Sequence, residues 1–167
     1  GDKVRSAFED TGVGAEFGWT PDDGQRVTIS LEERRLRDEL FAGAGMDSPR
    51  SDGTLFRAAW TRERLGALHD FELALDLSDI DHVMDNYSLR TPPSPMMRLR
   101  APSSSDNRGF RLRSAVPAGR GALRFGLELR DTERSARRIN DSSDQLQSVL
   151  WPDVDIRRQG AFLEWHD

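Results

Sequence analysis

Apolar residues in this chain recur at every second position more often than at every third or fourth. In residues 122–130, Leu123, Phe125, Leu127 and Leu129 fall on one face, opposite Arg124, Gly126, Glu128 and Arg130. In residues 71–78, Phe71, Leu73, Leu75 and Leu77 oppose Glu72, Ala74, Asp76 and Ser78. Val13, Ala15, Phe17 and Trp19 repeat the pattern, as do Val27, Ile29 and Leu31. Weaker versions are Phe56/Ala58/Trp60, Phe110/Leu112/Val116 and Ala161/Leu163/Trp165. A period of two puts alternate side chains on opposite faces of a strand. The pattern predicts about seven strands, near 11–20, 26–38, 54–64, 69–86, 109–116, 122–134 and 157–166, each with one apolar and one polar face. The best helical candidate, residues 31–41 (LEERRLRDELF), has good helix formers, but few stretches hold a 3.6-residue period for three turns.

The connections sharpen the picture. Pro21-Asp22-Asp23-Gly24-Gln25, Gly66-Ala67 and Pro117-Ala118-Gly119-Arg120-Gly121 are tight turns. Between them lie polar stretches at 42–53, 88–108 and 134–156, which read as long loops. Short and long connections alternate, so the short turns share one end of the sheet. That arrangement is the grammar of an outer-membrane β-barrel, with apolar residues outward and polar residues inward. Trp19, Trp60 and Trp165 fall near the short-turn end, where an aromatic girdle belongs. The expected fold is all-β, an antiparallel up-and-down meander. A soluble β-sandwich binding module is the alternative, because a sandwich alternates its faces too.

Composition alone reads as soluble and polar, unlike the order of the residues, and it closes other routes. Hydrophobic residues make up 36% and charged residues 32%, with 24 basic against 29 acidic side chains and a net charge of −5. That balance gives no attraction to nucleic acid. No apolar run approaches the roughly 20 residues of a membrane helix, and residues 1–10 hold no apolar signal-peptide core. The chain has no cysteine, which removes disulfides, zinc–thiolate sites and thiol catalysis. No G-x-S-x-G, H-E-x-x-H or P-loop motif is present, so no enzyme is expected. The inward parity collects Glu72, Asp76, Arg111, Arg113, Arg124, Glu128 and Arg130. They are too charged for the packed interior of a small barrel, and seven is odd where bacterial single-chain barrels have an even number of strands. The chain reads as a segment of a larger one.

The segment 79–90, DIDHVMDNYSLR, resembles a strand of the TonB-dependent copper receptors of Gram-negative outer membranes, whose matching sequence is closely similar to DHVMDNYSLRT. GWTPDDGQRVTISLEERR, AGAGMDSPRSDGTLFR and RRQGAFLEW resemble other stretches of that family. The resemblance implies that residues 1–167 are a partial barrel domain of a receptor with 22 strands. The plug domain and the remaining strands lie outside the chain. It implies copper import across the outer membrane, energised by the TonB complex acting through that plug. A siderophore or other substrate receptor on the same scaffold is the alternative within the class.

The resemblance gives a copper-binding role to His82 and Met84. Their parity is that of Ser78 and Ile80, so both face the lumen, about 6–7 Å apart along the strand. Imidazole and thioether suit copper, above all Cu(I). Two ligands are too few; the family takes the rest from a Cys-x-x-x-Met pair on the plug. Met46, Met96 and Met97 lie in the expected outer loops as possible secondary capture sites, although incidental loop methionines are the plainer reading. Asp79 and Asp81 fall on the outward parity above the apolar band, at the headgroup level where Tyr87 is also expected. His69 and His166 lie near short turns with no evident partner. Outer-membrane lipid and lipopolysaccharide are the expected surroundings. Arg34-Arg35 and Arg137-Arg138 form a basic rim that would meet lipopolysaccharide phosphates or simply be solvated.

Overall fold

The computed structural model describes residues 6–167. Seven strands run as β1 (Ala7–Asp22), β2 (Gln25–Leu40), β3 (Asp47–Leu65), β4 (Leu68–Asp85), β5 (Leu99–Ala118), β6 (Gly121–Asn140) and β7 (Gln145–His166). They form a single sheet in the order β1-β2-β3-β4-β5-β6-β7, every neighbouring pair antiparallel. No described residue is helical, and residues 31–41 lie mostly in β2. A sandwich buries one sheet against another, and here no second sheet exists among the described residues. Among the described residues, the buried apolar ones are Phe71, Ala101, Ala115 and Ala136. A single layer of this size has no core of its own.

The tight turns are two residues each, at 23–24, 66–67 and 119–120. Gly66 and Gly119 take positive φ (62° and 55°), which glycine adopts without the Cβ clash that other residues suffer. At the other end the structure departs from the sequence reading. The connections there are only 41–46, 86–98 and 141–144. Most of the expected loops at 42–53, 88–108 and 134–156 is strand, including Ser103–Ser105 in β5. These segments pair through their backbones while both their faces carry Ser, Asp and Arg, so they show no hydropathy alternation. Strands of 16 to 22 residues exceed the roughly 9–11 that cross a bilayer.

Residues opposite one another in an antiparallel pair share a face. One row is Trp19, Val27, Trp60, Leu73, Leu112, Leu127 and Ala161; the next is Phe17, Ile29, Ala58, Leu75, Phe110, Leu129 and Gln159. This face is exposed, with Phe17 at 64% and Leu163 at 70%. Trp60 packs edge-on against Phe71 at the short-turn end, ring centroids 5.1 Å apart. The opposite face is polar. There Arg57 Nε lies 3.5 Å from Asp76 Oδ1, and Arg111 Nη1 lies 3.6 Å from Glu72 Oε1.

The apolar band crosses the sheet on a diagonal. Pairing from Leu163 passes through Phe125, Ser114, the bulge beside Phe71, then Arg62 and Gln25 to Asp22. The band on β7 is centred at Leu163, whereas on β1 it is centred near Glu16. The offset of about six residues is about 20 Å along a strand, accumulated over about 29 Å of sheet width. The strands therefore incline by about 35° to the normal of the band, the tilt of strands in a transmembrane barrel. Two bulges carry an aspartate in the left-handed region, Asp38 (φ 52°) on β2 and Asp70 (φ 50°) on β4. Aspartate tolerates that conformation better than branched residues do.

Candidate functional site

His82 and Met84 occupy the upper part of β4, beyond the apolar band and on the polar face. Both are half-buried. The small Ser51 and Ser103 flank His82 on the neighbouring strands, and Ala101 stands opposite Met84. Ser103 Oγ donates to the His82 backbone carbonyl at 3.3 Å. One step below, Gly53 and Ser105 flank Ile80. Small neighbours leave room above an imidazole and a thioether that share one face at about 6–7 Å. No group of three His, Asp or Glu side chains converges as a metal site among the described residues. This strand thus presents a soft and a borderline donor side by side, fewer than a metal site needs.

The rest of the same segment has a different task, which the sequence reading missed. Asp85 is buried, and its Oδ1 accepts from the Tyr87 and Ser88 backbone N–H groups at 3.0 and 2.7 Å. Asn86 Nδ2 donates to the Met97 carbonyl at 2.9 Å, and its Oδ1 accepts from Leu99 N at 2.8 Å. This closes the loop 86–98 at its base. Arg90 donates from Nε to Asp47 Oδ2 at 2.9 Å and from Nη2 to Asp47 Oδ1 at 2.5 Å. Asp47 has no exposed surface, and its Oδ1 also accepts from Phe41 N at 3.0 Å. The pair fastens loop 86–98 to loop 41–46.

Tyr87 completes the knot on the other side. Its hydroxyl donates to Asp141 Oδ2 at 2.7 Å, Arg100 Nε donates to Asp141 Oδ1 at 3.0 Å, and Arg98 stacks 4.2 Å over the ring. Burial, reinforced by the nearby Asp141 carboxylate, pushes the phenol up to about 12. The Tyr87 hydroxyl, then Arg100, holds the Asp141 carboxyl below the usual range. Tyr87 is therefore a clamp between loops and does not stand in an interfacial girdle. A clue was present in the sequence: Asp, Asn and Ser directly after a strand favour turns closed by their own side chains.

The other methionines lie in the loops at the top of the sheet. Met46 lies half-buried in loop 41–46, while Met96 and Met97 are 71% and 52% exposed in loop 86–98. The arginines of the expected rim are largely paired, Arg34 with Asp10, Arg35 with Glu33 and Arg137 with Asp153. His166 Nε2 lies 3.2 Å from Glu164 Oε1, a partner the sequence did not suggest. Asp79 and Asp81 are exposed on the apolar-band face, above the band, where their parity placed them.

No family model matches this chain, and no curated protein matches it. Solved structures do. The copper transporter OprC superposes with a TM-score of 0.80 at 23% identity, over 99% of this chain and 27% of that one. The fold is shared with a segment of that transporter. The chain spans about a quarter of its length.

Proposed function

We propose that this chain is the wall segment of a TonB-dependent outer-membrane receptor that imports copper, with His82 and Met84 as two of the ligands that pass the ion inward. The observation that carries the proposal is the placement of both side chains on the polar face, above a tilted apolar band, among small neighbours. The band supports a bilayer environment, the outer membrane of a Gram-negative cell with its lipid and lipopolysaccharide. On this reading the polar face is the lumen wall and residues 1–167 are a partial barrel domain. A plug domain outside this chain supplies the remaining ligands and the contact with the TonB complex. Copper is cargo here, and no catalytic role is proposed. Likeness to a protein named as a copper transporter is further support.

Copper content of the intact protein tests this directly. The protein is purified with and without the His82→Ala/Met84→Ala pair, loaded with Cu(I), washed, and its metal counted. Lumen-facing substitutions tune selectivity more than barrel stability, so the variant should assemble normally and lose most of its copper. Equal loading would show that the His-x-Met strand is ordinary wall and would overturn the copper assignment.

A further inference from the structure

Along the polar face, the rows of paired residues between Glu72 and His82 divide in charge from one half of the sheet to the other. On β5–β7 they carry Arg111, Arg113, Arg130, Arg134 and Arg158 against the single carboxylate of Glu128. The same rows on β1–β4 carry Asp10, Glu16, Glu32, Glu72 and Asp76 against three arginines. Two of those three are paired, Arg34 with Asp10 and Arg57 with Asp76. The basic half is less well matched. Arg130 and Arg158 stand directly opposite one another on β6 and β7. Their Cβ atoms are then about 5 Å apart, and like charges so placed repel. Arg130 reaches Glu128 on its own strand only at 3.5 Å, and Arg111 reaches Glu72 only at 3.6 Å. Arg113, Arg134 and Arg158 are exposed and meet no described carboxylate. Glycines leave the opposed pair open to the lumen side: Gly109 is the neighbour of Arg130 on β5, and a Cβ on Gly160 would meet nothing within 4 Å.

We propose that the polar face of β5–β7 docks an acidic polypeptide surface, one of whose carboxylates sits between the Arg130 and Arg158 guanidinium groups. The inference rests on the lumen reading above, on which the occupant is the plug domain. A carboxylate there turns a repulsive pair into two charge-assisted contacts. The size of the patch selects a protein over a small anion. From Arg113 to Ser105, the partner of Arg134, is eight residues of β5, about 26 Å, and the three strands add about 10 Å of width. One phosphate or carboxylate ion covers a single row of that surface. An apolar occupant is disfavoured, because it would bury the unpaired guanidinium groups without compensation. Charge also sets the side on which the occupant lies. The carboxylates of β1–β4 repel an acidic surface that β5–β7 attracts, so it rests on β5–β7 and leaves the side of His82 and Met84 to the metal cation.

The test uses the intact protein containing this chain, in detergent, with Arg158→Lys in place. The variant keeps the charge and supplies an amine that a water-soluble carbodiimide joins to a carboxylate in direct contact. Mass spectrometry of the digest then names the partner peptide, and flotation with phosphatidylethanolamine–phosphatidylglycerol vesicles is measured in parallel. The amine at 158 should couple to an Asp or Glu of the plug domain, outside residues 1–167, and Arg158→Gln should give no such link. Arg130→Gln/Arg158→Gln should still float but speed proteolysis of the plug about tenfold, the weight of one charge-assisted contact. A protein that floats but couples only within residues 1–167, or not at all, overturns the docking surface and leaves the membrane reading standing. An unchanged rate of plug proteolysis in the double variant does the same. A protein that does not float overturns both readings.

Discussion

Replacing Arg90 by alanine should loosen the long-loop end of the sheet without unfolding the strands. Arg90 offers two parallel N–H donors to a carboxylate with no exposed surface, while its own side chain is 20% exposed. Removing one partner of a buried ion pair typically costs about 3–5 kcal/mol. Water can reach the Arg90 side, and Phe41 N still donates to Asp47, so the low end, about 3 kcal/mol, applies. That corresponds to about a hundredfold rise in local opening. Hydrogen exchange read by mass spectrometry should show it in peptides covering 41–47 and 86–98, with β5 and β6 below the loops protected as before. The Asp47→Asn/Arg90→Gln pair removes both charges and should recover much of the loss. Exchange in the two loops within about threefold of the unaltered protein, less than 1 kcal/mol, would refute the clamp. A double variant as open as the single one would show that packing, and not the ion pair, holds the loops.

Tyr87 is the one tyrosine of the chain, and the ultraviolet titration of the intact protein minus that of its Tyr87→Phe variant isolates it. It should ionise near 12, and Asp141→Asn should move it back toward 10. The folded phenol holds its proton more tightly than the unfolded one, so this contribution is present below pH 10 and fades as pH rises from 10 toward 12; a midpoint at 10 in both proteins would discard the clamp at Tyr87. Gly126 lies beneath the Phe162 ring, where an added Cβ would fall 2.2 Å from Cε1. Gly126→Ala should force the ring aside and destabilise by about 1–3 kcal/mol, seen as a lower urea midpoint, and an unchanged midpoint would place the ring elsewhere. Leu127→Arg on the apolar band should cost about 2–4 kcal/mol in vesicles, against little for Ser78→Arg on the polar face; equal costs would mean that the band does not face lipid.

Strand parity was legible in the sequence because the two faces of each strand differ in chemistry. Where apolar side chains line one face and charged ones the other, as at Leu73 to Leu77 against Glu72 to Asp76, the period of two shows. The meander and its tight turns followed from 21–25, 66–67 and 117–121, which the structure trims to two residues each. So did the shared face of His82 and Met84, which parity alone determines. The strand extensions above the band were not legible. Residues 99–108 and 131–140 have both faces in a polar surround, so no hydropathy contrast marks them, and only backbone pairing with a neighbour makes them strands. The knot around Asp47, Tyr87, Arg90 and Asp141 was equally hidden. Its partners come from three separate loops, 40 or more positions apart in sequence, and nothing in a linear pattern says which arginine meets which aspartate. The tilt of the band needed the register of all six strand pairs. The sequence by itself determined which face each side chain takes, since alternation is local geometry; the tertiary structure decided which residues meet across that face, since register and loop docking are long-range.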